Sequence, residues 1–428
     1  MRADPTPPRS TDRFGNVFAP GLPYARGRIV TSTEDDLRKL EQAQRAIHRR
    51  INEHGLASIF NFSGLDRGLA VQAEDLPFLD DELAPALYAT RFRTLALAHL
   101  GGVPDLHEIA LFNRVTAATF ATHLALVRPG SVVVGISASY SHPTVARAAA
   151  QVGARFLDTS DIETFAGVLV RQKDVALVVA TRLAVTYDIL PVDVLRRAVE
   201  LAHQNGTPVY MDDAGGARVG PAAFDQPRML ELGVDVGATG LDKYGTAGPR
   251  LGLLGGAKHL VECIRARAFE FGLEARPMLY PAAVRSLERY TPERVHALIV
   301  ATKQVATALR AVLGDRLYET PVTGQLKGED TLELAMERAG LLESRVVPSE
   351  ATAALAMLLL RDHGILTVHF AAIPPGTSNL LFKFVPPETL TRFGGPEAFA
   401  RAVDASLDSL AAMIGDPNAL RYLLLGEV

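Results

Sequence analysis

The chain has 428 residues, 48% of them hydrophobic, with a formal net charge of −4 and a pI near 6.3. This length and apolar content suit a large domain with a smaller one, and the acidic balance argues against nucleic-acid binding, which usually needs a basic domain. A single cysteine, Cys263, excludes an intramolecular disulfide and suits a reducing cytoplasm. Since we find no apolar run of the ~18 residues that cross a bilayer and no signal-peptide core, we expect no membrane partner.

The predicted elements alternate along most of the chain. Residues 1–33 are rich in proline, glycine and arginine and read as an irregular, loose tail. Apolar residues at helical spacing predict helices over residues 34–54 and 81–100. Short apolar runs then predict strands at 131–136, 155–157, 175–180, 208–211, 234–239 and 251–254. Helices are predicted between them, at 116–127, 143–152, 162–172, 191–204 and 258–271.

This alternation predicts an α/β fold, with a mostly parallel sheet of about seven strands between two layers of helices. A long helix at 292–313 leads to a smaller α/β domain. That domain is predicted to hold helices at 351–362 and 396–414 and strands at 364–370 and 380–385. The predicted domains are a tail and helical arm (1–75), a large domain (76–290), and a linker helix with the small domain (291–428).

Two apolar runs in the large domain end in residues of complementary chemistry. The first ends in Asp212, and about thirty residues later the second is followed by Lys243 in a loop of small residues. Pyridoxal phosphate needs this pair, because a lysine amine forms a Schiff base with its aldehyde and a carboxylate keeps its pyridine nitrogen protonated. Asp213 is a rival for the carboxylate role, but strand neighbours point to opposite faces, so only one of the two can face the ring. Most Asp and Lys pairs are solvated surface charges, so the alternative that Asp212 and Lys243 are ordinary surface residues stays open.

A helix that begins in the stretch Asn113, Arg114, Val115 and Thr116 is a candidate phosphate site. A helix N-terminus presents unpaired backbone N–H groups and the positive end of the helix dipole, which together bind phosphate. Thr116 adds a hydroxyl donor and Arg114 a positive charge. An ordinary capped helix is the alternative interpretation of the same residues.

The central stretch resembles the large domain of fold-type I pyridoxal phosphate enzymes, the aspartate aminotransferase superfamily. Within that group it is most similar to the selenocysteine synthase (L-seryl-tRNA selenium transferase)-like branch. The similarity spans roughly residues 55–290 and rests on five short motifs: IFNFSG (59–64), FNRVTAA (112–118), VYMD (209–212), DK (242–243) and GPRLG (248–252).

The resemblance implies further cofactor residues. Tyr140 or His142, after the strand at 131–136, would stack on the pyridine ring, and the sequence leaves both open. Thr181 would contact the 3-oxygen of the cofactor. Thr239 and Thr246, on either side of the lysine, are also assigned to the cofactor site.

Substrate residues and assembly follow from the same resemblance. Fold-type I sites are usually completed by a second subunit, so we expect a homodimer in which Asn61 and Thr246 cross over. Arg182, or Arg276 in the sequence EARP, would bind an anionic group of the substrate, since arginine suits carboxylate and phosphate. The alternatives are a solvated Arg182 and a surface ion pair between Arg276 and Glu274.

The reaction is predicted from a difference between this chain and aminotransferases. Aminotransferases carry a carboxylate-binding arginine where residues 377–384 of this chain offer only Lys383. This favours elimination or replacement at a β- or γ-carbon of a small amino acid or derivative with an anionic or sulfur-bearing leaving group. Lys243 would be the base at Cα. The alternatives are an aminotransferase that uses Lys383 or Arg182, and a non-catalytic regulator that binds pyridoxal phosphate.

Other cofactor motifs are missing from the sequence. No GxGxxG follows a predicted strand, and neither GxxxxGK[ST] nor GxSxG occurs. The 11 histidines do not cluster at metal-ligand spacing. We therefore expect neither a dinucleotide nor a metal.

Overall fold

The computed structural model describes residues 10–370 and 373–426, so the predicted loose tail lies partly outside the described residues. The chain forms two compact units. We call residues 66–296 the central unit, and residues up to 65 together with those from 297 on the discontinuous unit. Of the segment predicted as a separate arm (1–75), the described residues 10–65 therefore group with the C-terminal part of the chain, and residues 66–75 belong to the central unit.

The described chain contains helices and strands in both units, and the two alternate through most of the central unit. Over the described residues, the helices are α1 (Thr33–His54), α2 (Leu83–Leu100), α3 (Val115–Leu126), α4 (Pro143–Gln151), α5 (Ile162–Arg171), α6 (Val192–Gln204), α7 (Gly216–Phe224), α8 (Lys258–Glu270), α9 (Tyr280–Glu288), α10 (Pro292–Leu313), α11 (Gly328–Ala339), α12 (Pro348–His363), α13 (Pro387–Phe393), α14 (Pro396–Met413) and α15 (Pro417–Leu425). The strands are β1 (Phe60–Asn61), β2 (His107–Phe112), β3 (Val132–Ile136), β4 (Arg155–Thr159), β5 (Val175–Thr181), β6 (Val209–Asp212), β7 (Val236–Gly240), β8 (Gly252–Ala257), β9 (Leu317–Glu319), β10 (Thr323–Leu326), β11 (Ile365–Leu366) and β12 (Leu380–Lys383).

The described part of the central unit contains a seven-stranded sheet in the order β2-β8-β7-β6-β5-β3-β4. Strands β3 to β7 pair in parallel, and β8 runs antiparallel to both of its neighbours. The predicted α/β class and mostly parallel sheet are therefore confirmed. The edge strand β2 was not predicted.

The two faces of the sheet have separate cores. Val179 of β5 and Tyr210 of β6 are buried in one core with side chains of α3, α4 and α8. Ala180 and Met211, the next residues along, are buried in the other core with side chains of α5 and α6. By this alternation Asp212 projects from the same face as Tyr210, and Asp213 follows on the opposite side.

The discontinuous unit has a core of its own, built around α12 and the antiparallel sheet β12-β10-β9. The predicted strand at 364–370 was wrong beyond its start. Strand β11 pairs with β1 over two residues, and Val368–Phe370 then forms a 3-10 turn, because the His369 side chain bonds the Asn379 carbonyl oxygen at 3.0 Å. Strand β12 ends at Lys383 because Phe384 takes a positive φ of 46°.

Helix α10 corrects the expectation that no segment is long and apolar enough to cross a bilayer. The helical stretch Pro292–Arg316 meets both criteria, with a mean hydropathy of 1.3. Ala301, Val305 and Leu309 on this helix are buried in the core of the discontinuous unit. Packing in that core accounts for part of the apolar character of the helix, since 39% of its apolar window is buried.

Candidate active site

Two adjacent strands of the central sheet carry Asp212 and Lys243 at their carboxyl ends. Asp212 is the last residue of β6, is 6% exposed, and lies beside Thr181 of β5 and Ala238 of β7 in the sheet register. Lys243 is in the loop that follows β7, with 21% of its side chain exposed. A Cβ atom on Gly240, the last residue of β7, would lie 2.6 Å from Lys243 Nζ, so glycine makes room for the amine.

Burial shifts the pKa of both groups towards the neutral form. Burial raises the pKa of Asp212 to about 6, the Lys243 charge opposes that rise, and the Asp213 charge adds to it. Burial also lowers the pKa of Lys243, against the attraction of Asp242 and with help from the Arg218 charge. A neutral amine is the form that attacks a carbonyl carbon.

Asp213 belongs to a different arrangement on the other face. Its Oδ2 lies 3.1 Å from Arg182 Nη2, and neither side chain is exposed. Arg182 Nη1 donates to the Pro227 carbonyl oxygen at 2.7 Å, and a Cβ atom on Gly220 would lie 2.6 Å from this nitrogen. The prediction that Arg182 binds substrate was wrong, because its guanidinium is enclosed and committed to Asp213. Because Asp213 is paired with Arg182, Asp212 is the aspartate that lies next to Thr181 on the other face of the sheet.

The Lys243 loop is held by contacts on both sides of the lysine. Asp242 accepts from Arg67 Nε at 2.9 Å and lies 3.8 Å from Lys243 Nζ. The Thr246 hydroxyl donates to the Lys243 carbonyl oxygen at 2.8 Å. Thr246, predicted to bind the cofactor and to cross between subunits, is 3% exposed in this chain, and its hydroxyl closes the loop. Its hydroxyl fixes the backbone that presents the amine.

The N-terminus of α3 is open to an anion. Asn113, Arg114 and Thr116 are exposed there, and Arg114, at the N-cap, makes no side-chain capping bond. A Cβ atom on Gly252 of β8 would lie 2.6 Å from the Arg114 carbonyl carbon, so glycine permits this close packing. Burial, with the charges of Arg67 and Arg114, lowers the pKa of Arg250 to about 10. These guanidinium groups and the helix N-terminus can neutralise a phosphate.

The remaining predicted cofactor residues have distinct surroundings. Thr181 is buried, and its hydroxyl has no hydrogen-bond partner among the residues described here. The Thr239 hydroxyl donates to the Ala214 carbonyl oxygen at 3.3 Å. Tyr140 and His142 are both half-buried, and His142 accepts from the Thr144 amide at 3.1 Å.

His142 is electrostatically coupled to the lysine. Burial lowers the pKa of His142 to about 4, and the Arg147 and Lys243 charges add to this shift. A neutral imidazole therefore lies near the amine.

The structure does not bring Arg276 into this group of contacts. Arg276 has 70% of its side chain exposed and pairs with Asp81, not with Glu274 as one alternative held. Asn61 lies in the discontinuous unit, where its amide donates to the Leu65 carbonyl oxygen at 2.7 Å.

Three arginines near the site were not predicted from the sequence. Arg67 comes eight positions after the start of IFNFSG, and Arg250 lies inside GPRLG, so both motifs could have suggested them. Arg218 has no such signal, because its place beneath the site comes only from the packing of α7. All three affect the charge of the lysine or the phosphate site.

These residues fit pyridoxal phosphate. Asp212 suits the pyridine nitrogen, Lys243 the aldehyde carbon, the unpartnered Thr181 hydroxyl a polar ring substituent, and the α3 N-terminus the phosphate. Across residues 10–370 and 373–426, no cluster of three His, Cys, Asp or Glu side chains could hold a metal ion.

The names of related proteins are consistent with a pyridoxal phosphate site, although no family model matches the chain. The chain is 32% identical over 396 residues to a protein of Methanothermobacter thermautotrophicus named UPF0425 pyridoxal phosphate-dependent protein, covering 92% of this chain and 98% of the relative. A protein of the same name from Methanosphaera stadtmanae is 28% identical over 357 residues, covering 83% and 90%.

Solved structures show the same architecture. Ureidoglycine-glyoxylate aminotransferase from Bacillus subtilis superposes with a TM-score of 0.55 at 14% identity, covering 86% of this chain and 97% of that one. Pyridoxamine-pyruvate aminotransferase from Mesorhizobium loti gives 0.56 at 14% identity, covering 86% and 96%. At this identity the likeness establishes the fold alone.

The fold and the site together define a fold-type I pyridoxal phosphate-dependent protein. The chain belongs to the UPF0425 family of pyridoxal phosphate-dependent proteins, and its cofactor is pyridoxal phosphate. The finer resemblance to the selenocysteine synthase-like branch stays a prediction.

Replacing Gly240 with alanine should weaken cofactor binding. The added methyl would meet Lys243 Nζ, and forcing a side chain off its rotamer costs about 1 kcal/mol. We expect Gly240→Ala to raise the Kd for pyridoxal phosphate about fivefold, measured by absorbance titration. The control is Gly167→Ala in α5, where the nearest atom is the flexible end of Arg171. Equal affinity in both variants would contradict the steric account.

The stability of the cofactor-free chain should report the burial of Asp212. The folded pKa of about 6 exceeds the unfolded value of ~3.9, so the folded state binds this proton more tightly. The resulting cost is absent below about pH 4 and grows as the pH rises through 6. Asp212→Asn should therefore raise the free energy of unfolding by up to about 3 kcal/mol at pH 8, measured by urea denaturation, with little gain at pH 4.

The control for this measurement is Asp225→Asn, which changes an exposed carboxylate at the end of α7. It should change the free energy of unfolding little at either pH. A gain from Asp212→Asn that is the same at pH 4 and pH 8 would show that burial of its charge is not the cause.

Proposed function

We propose that the protein is an enzyme that uses pyridoxal phosphate to eliminate or replace a group at the β- or γ-carbon of a small amino acid or derivative. One observation carries this proposal: Asp212 at the end of β6 and Lys243 in the loop after the adjacent strand β7 are largely withdrawn from water, next to an arginine-flanked helix N-terminus. The bound cofactor would supply a sink for electrons released at the substrate Cα.

Lys243 would have two tasks. It is the point of covalent attachment, and once released its amine carries the proton away from Cα and returns it. Burial lowers the pKa of Lys243, which increases the neutral fraction able to accept a proton. Asp242 lies 3.8 Å from Nζ, and the Thr246 hydroxyl fixes the backbone from which the amine projects.

Asp212 would hold a proton at the pyridine nitrogen. The carboxylate is buried on the Thr181 side of the sheet, where the neighbouring hydroxyl has no partner among the described residues. Asp213 cannot share this task, because its carboxylate faces Arg182. Its charge still acts on Asp212 through space and raises the Asp212 pKa, which favours a proton between carboxylate and ring.

We assign recognition of an anionic substrate group to Arg67. Arg182 is enclosed, and Arg276 pairs with Asp81 at the surface. Arg67 holds Asp242 through Nε, keeps 32% of its side chain exposed, and is near enough to lower the pKa of Lys243. A guanidinium in this position can orient a carboxylate or phosphate beside the amine.

The aminotransferase alternative has less support. Its proposed carboxylate receptor, Lys383, is 1% exposed in β12, with its backbone opposite Thr323. A side chain so enclosed is poorly placed to meet a substrate that arrives from water. Arg182, the other proposed receptor, is enclosed as well.

A substrate panel separates these functions. The loaded protein is incubated with amino acids bearing hydroxyl, thiol, phosphate or carboxylate groups, with and without 2-oxoglutarate, and keto acid, ammonia and sulfide are measured. We expect keto acid with ammonia or sulfide in the absence of 2-oxoglutarate. Keto acid that appears only with 2-oxoglutarate would identify a transaminase and contradict the proposal, and no turnover with any member would favour a regulator.

Two variants sharpen the same panel. Arg67→Gln should raise KM for the acidic substrates about tenfold or more, since a hydrogen bond to a charged group contributes about 1.5–3 kcal/mol. Arg276→Gln, the matched control, removes an exposed arginine and should leave KM unchanged. A KM effect from Arg276→Gln alone would overturn the assignment to Arg67.

A further inference from the structure

One backbone oxygen joins the strand ends that carry Asp212 and Lys243. The Ala214 carbonyl oxygen accepts from the Gly240 amide at 3.1 Å, from the Thr239 hydroxyl at 3.3 Å and from Arg218 Nη2 at 2.9 Å. Ala214 lies two residues after Asp212, and Gly240 borders the lysine amine. The two donors in β7 therefore tie the segment after β6 to the end of β7, and Arg218 brings α7 to the same oxygen.

Arg218 reaches this junction from α7 and is fully buried. Its Nη1 lies 3.3 Å from His99 Nε2, and the His99 ring meets the edge of Tyr290 at 4.8 Å between centroids. Burial, with the Arg218 and Arg228 charges, lowers the pKa of His99 to about 3, so this imidazole is neutral and accepts.

Among the described residues, no carboxylate forms an ion pair with Arg218 within 4.0 Å. Asp213 and Asp242 act on it only from farther away, and burial lowers its pKa. An arginine still keeps its proton, because its ordinary pKa is above 12. Burying a charge without an ion-pair partner costs free energy. We therefore expect Arg218 to have a function that offsets this cost.

We propose that Arg218 is a positioning residue. Through the Ala214 carbonyl oxygen it fixes the segment after Asp212 relative to Gly240, the glycine that borders the Lys243 amine, and it holds a constant positive charge at this junction. This inference rests on the proposed function, because Arg218 would help to keep the Lys243 amine neutral and reactive. Nothing in it requires Arg218 to touch substrate.

The inference predicts a change in the protonation of Lys243. The charged and titratable groups that act on the amine are Asp242, Arg218, Asp212, Arg67 and His142. The carboxylates favour the ammonium form, whereas Arg218 and Arg67 disfavour it. Removing the Arg218 charge should therefore raise the pKa of Lys243, and a lysine at this position should keep it low.

The test uses the full chain without cofactor, so it does not depend on catalysis. Lysines are dimethylated with ¹³C-formaldehyde, the Lys243 signal is assigned by its loss in Lys243→Met, and its pKa is read by NMR from pH 6 to 11. We expect Arg218→Gln to raise this pKa by about one unit or more and Arg218→Lys to leave it within a few tenths of wild type. The matched control is Arg285→Gln, which removes an arginine paired with Asp75 in the same unit and should not move the Lys243 pKa.

An Arg218→Gln chain whose Lys243 titrates as in wild type would overturn the proposal. Should that variant fail to fold, Arg218→Lys decides instead, because a rise of the Lys243 pKa to that of an ordinary lysine would contradict the charge role. Failure of the protein to bind pyridoxal phosphate would defeat the proposed function without altering this titration. The two proposals can therefore fail separately.

Discussion

The withdrawal of Asp212 from water is the constraint on which the site depends. A carboxylate at the buried end of β6 is costly as an anion, and this cost raises its pKa to about 6. Lys243 opposes the shift but is itself partly enclosed, so neither charge is strongly hydrated. A cofactor with a basic ring nitrogen and an electrophilic carbon relieves both costs at once, which is the physical reason that these two residues select pyridoxal phosphate.

Close approach between backbone and charged side chains makes this arrangement possible. Gly240 leaves the space that Lys243 Nζ occupies, and Gly252 lets the start of α3 pack against β8. On the opposite face, Gly216 and Gly220 leave room for the pair of Arg182 and Asp213. Each of these glycines gives up side-chain volume so that a polar group can lie against the sheet.

Much of the fold and part of the site could be predicted because both depend on local patterns. Short apolar runs located β3 to β8, and the residues at the end of β6 and in the loop after β7 gave Asp212 and Lys243. The role of Arg182 could not be predicted, since an arginine at a strand end carries the same local signal whether it meets a ligand or a buried aspartate. Only the packing of α7 decides that it meets Asp213.

The end of the short strand β11 and the contacts of the loop hydroxyls could not be predicted for the same reason. Strand β11 stops after Leu366, and the nearby His369 side chain bonds the backbone carbonyl oxygen of Asn379, a contact of which the apolar run gives no sign. Thr246 is next to the lysine in sequence, yet its hydroxyl bonds the Lys243 backbone. Tertiary contacts of this kind have no periodicity that a sequence could reveal.

The central claim is that Lys243 is the attachment point for the cofactor, and borohydride reduction tests it most directly. The protein loaded with pyridoxal phosphate is reduced, digested and mapped by mass spectrometry. The account predicts a pyridoxyl group on Lys243 in nearly every labelled molecule, together with loss of the visible absorbance. A label on another lysine, or a protein that stays colourless and unlabelled with excess cofactor, would contradict it.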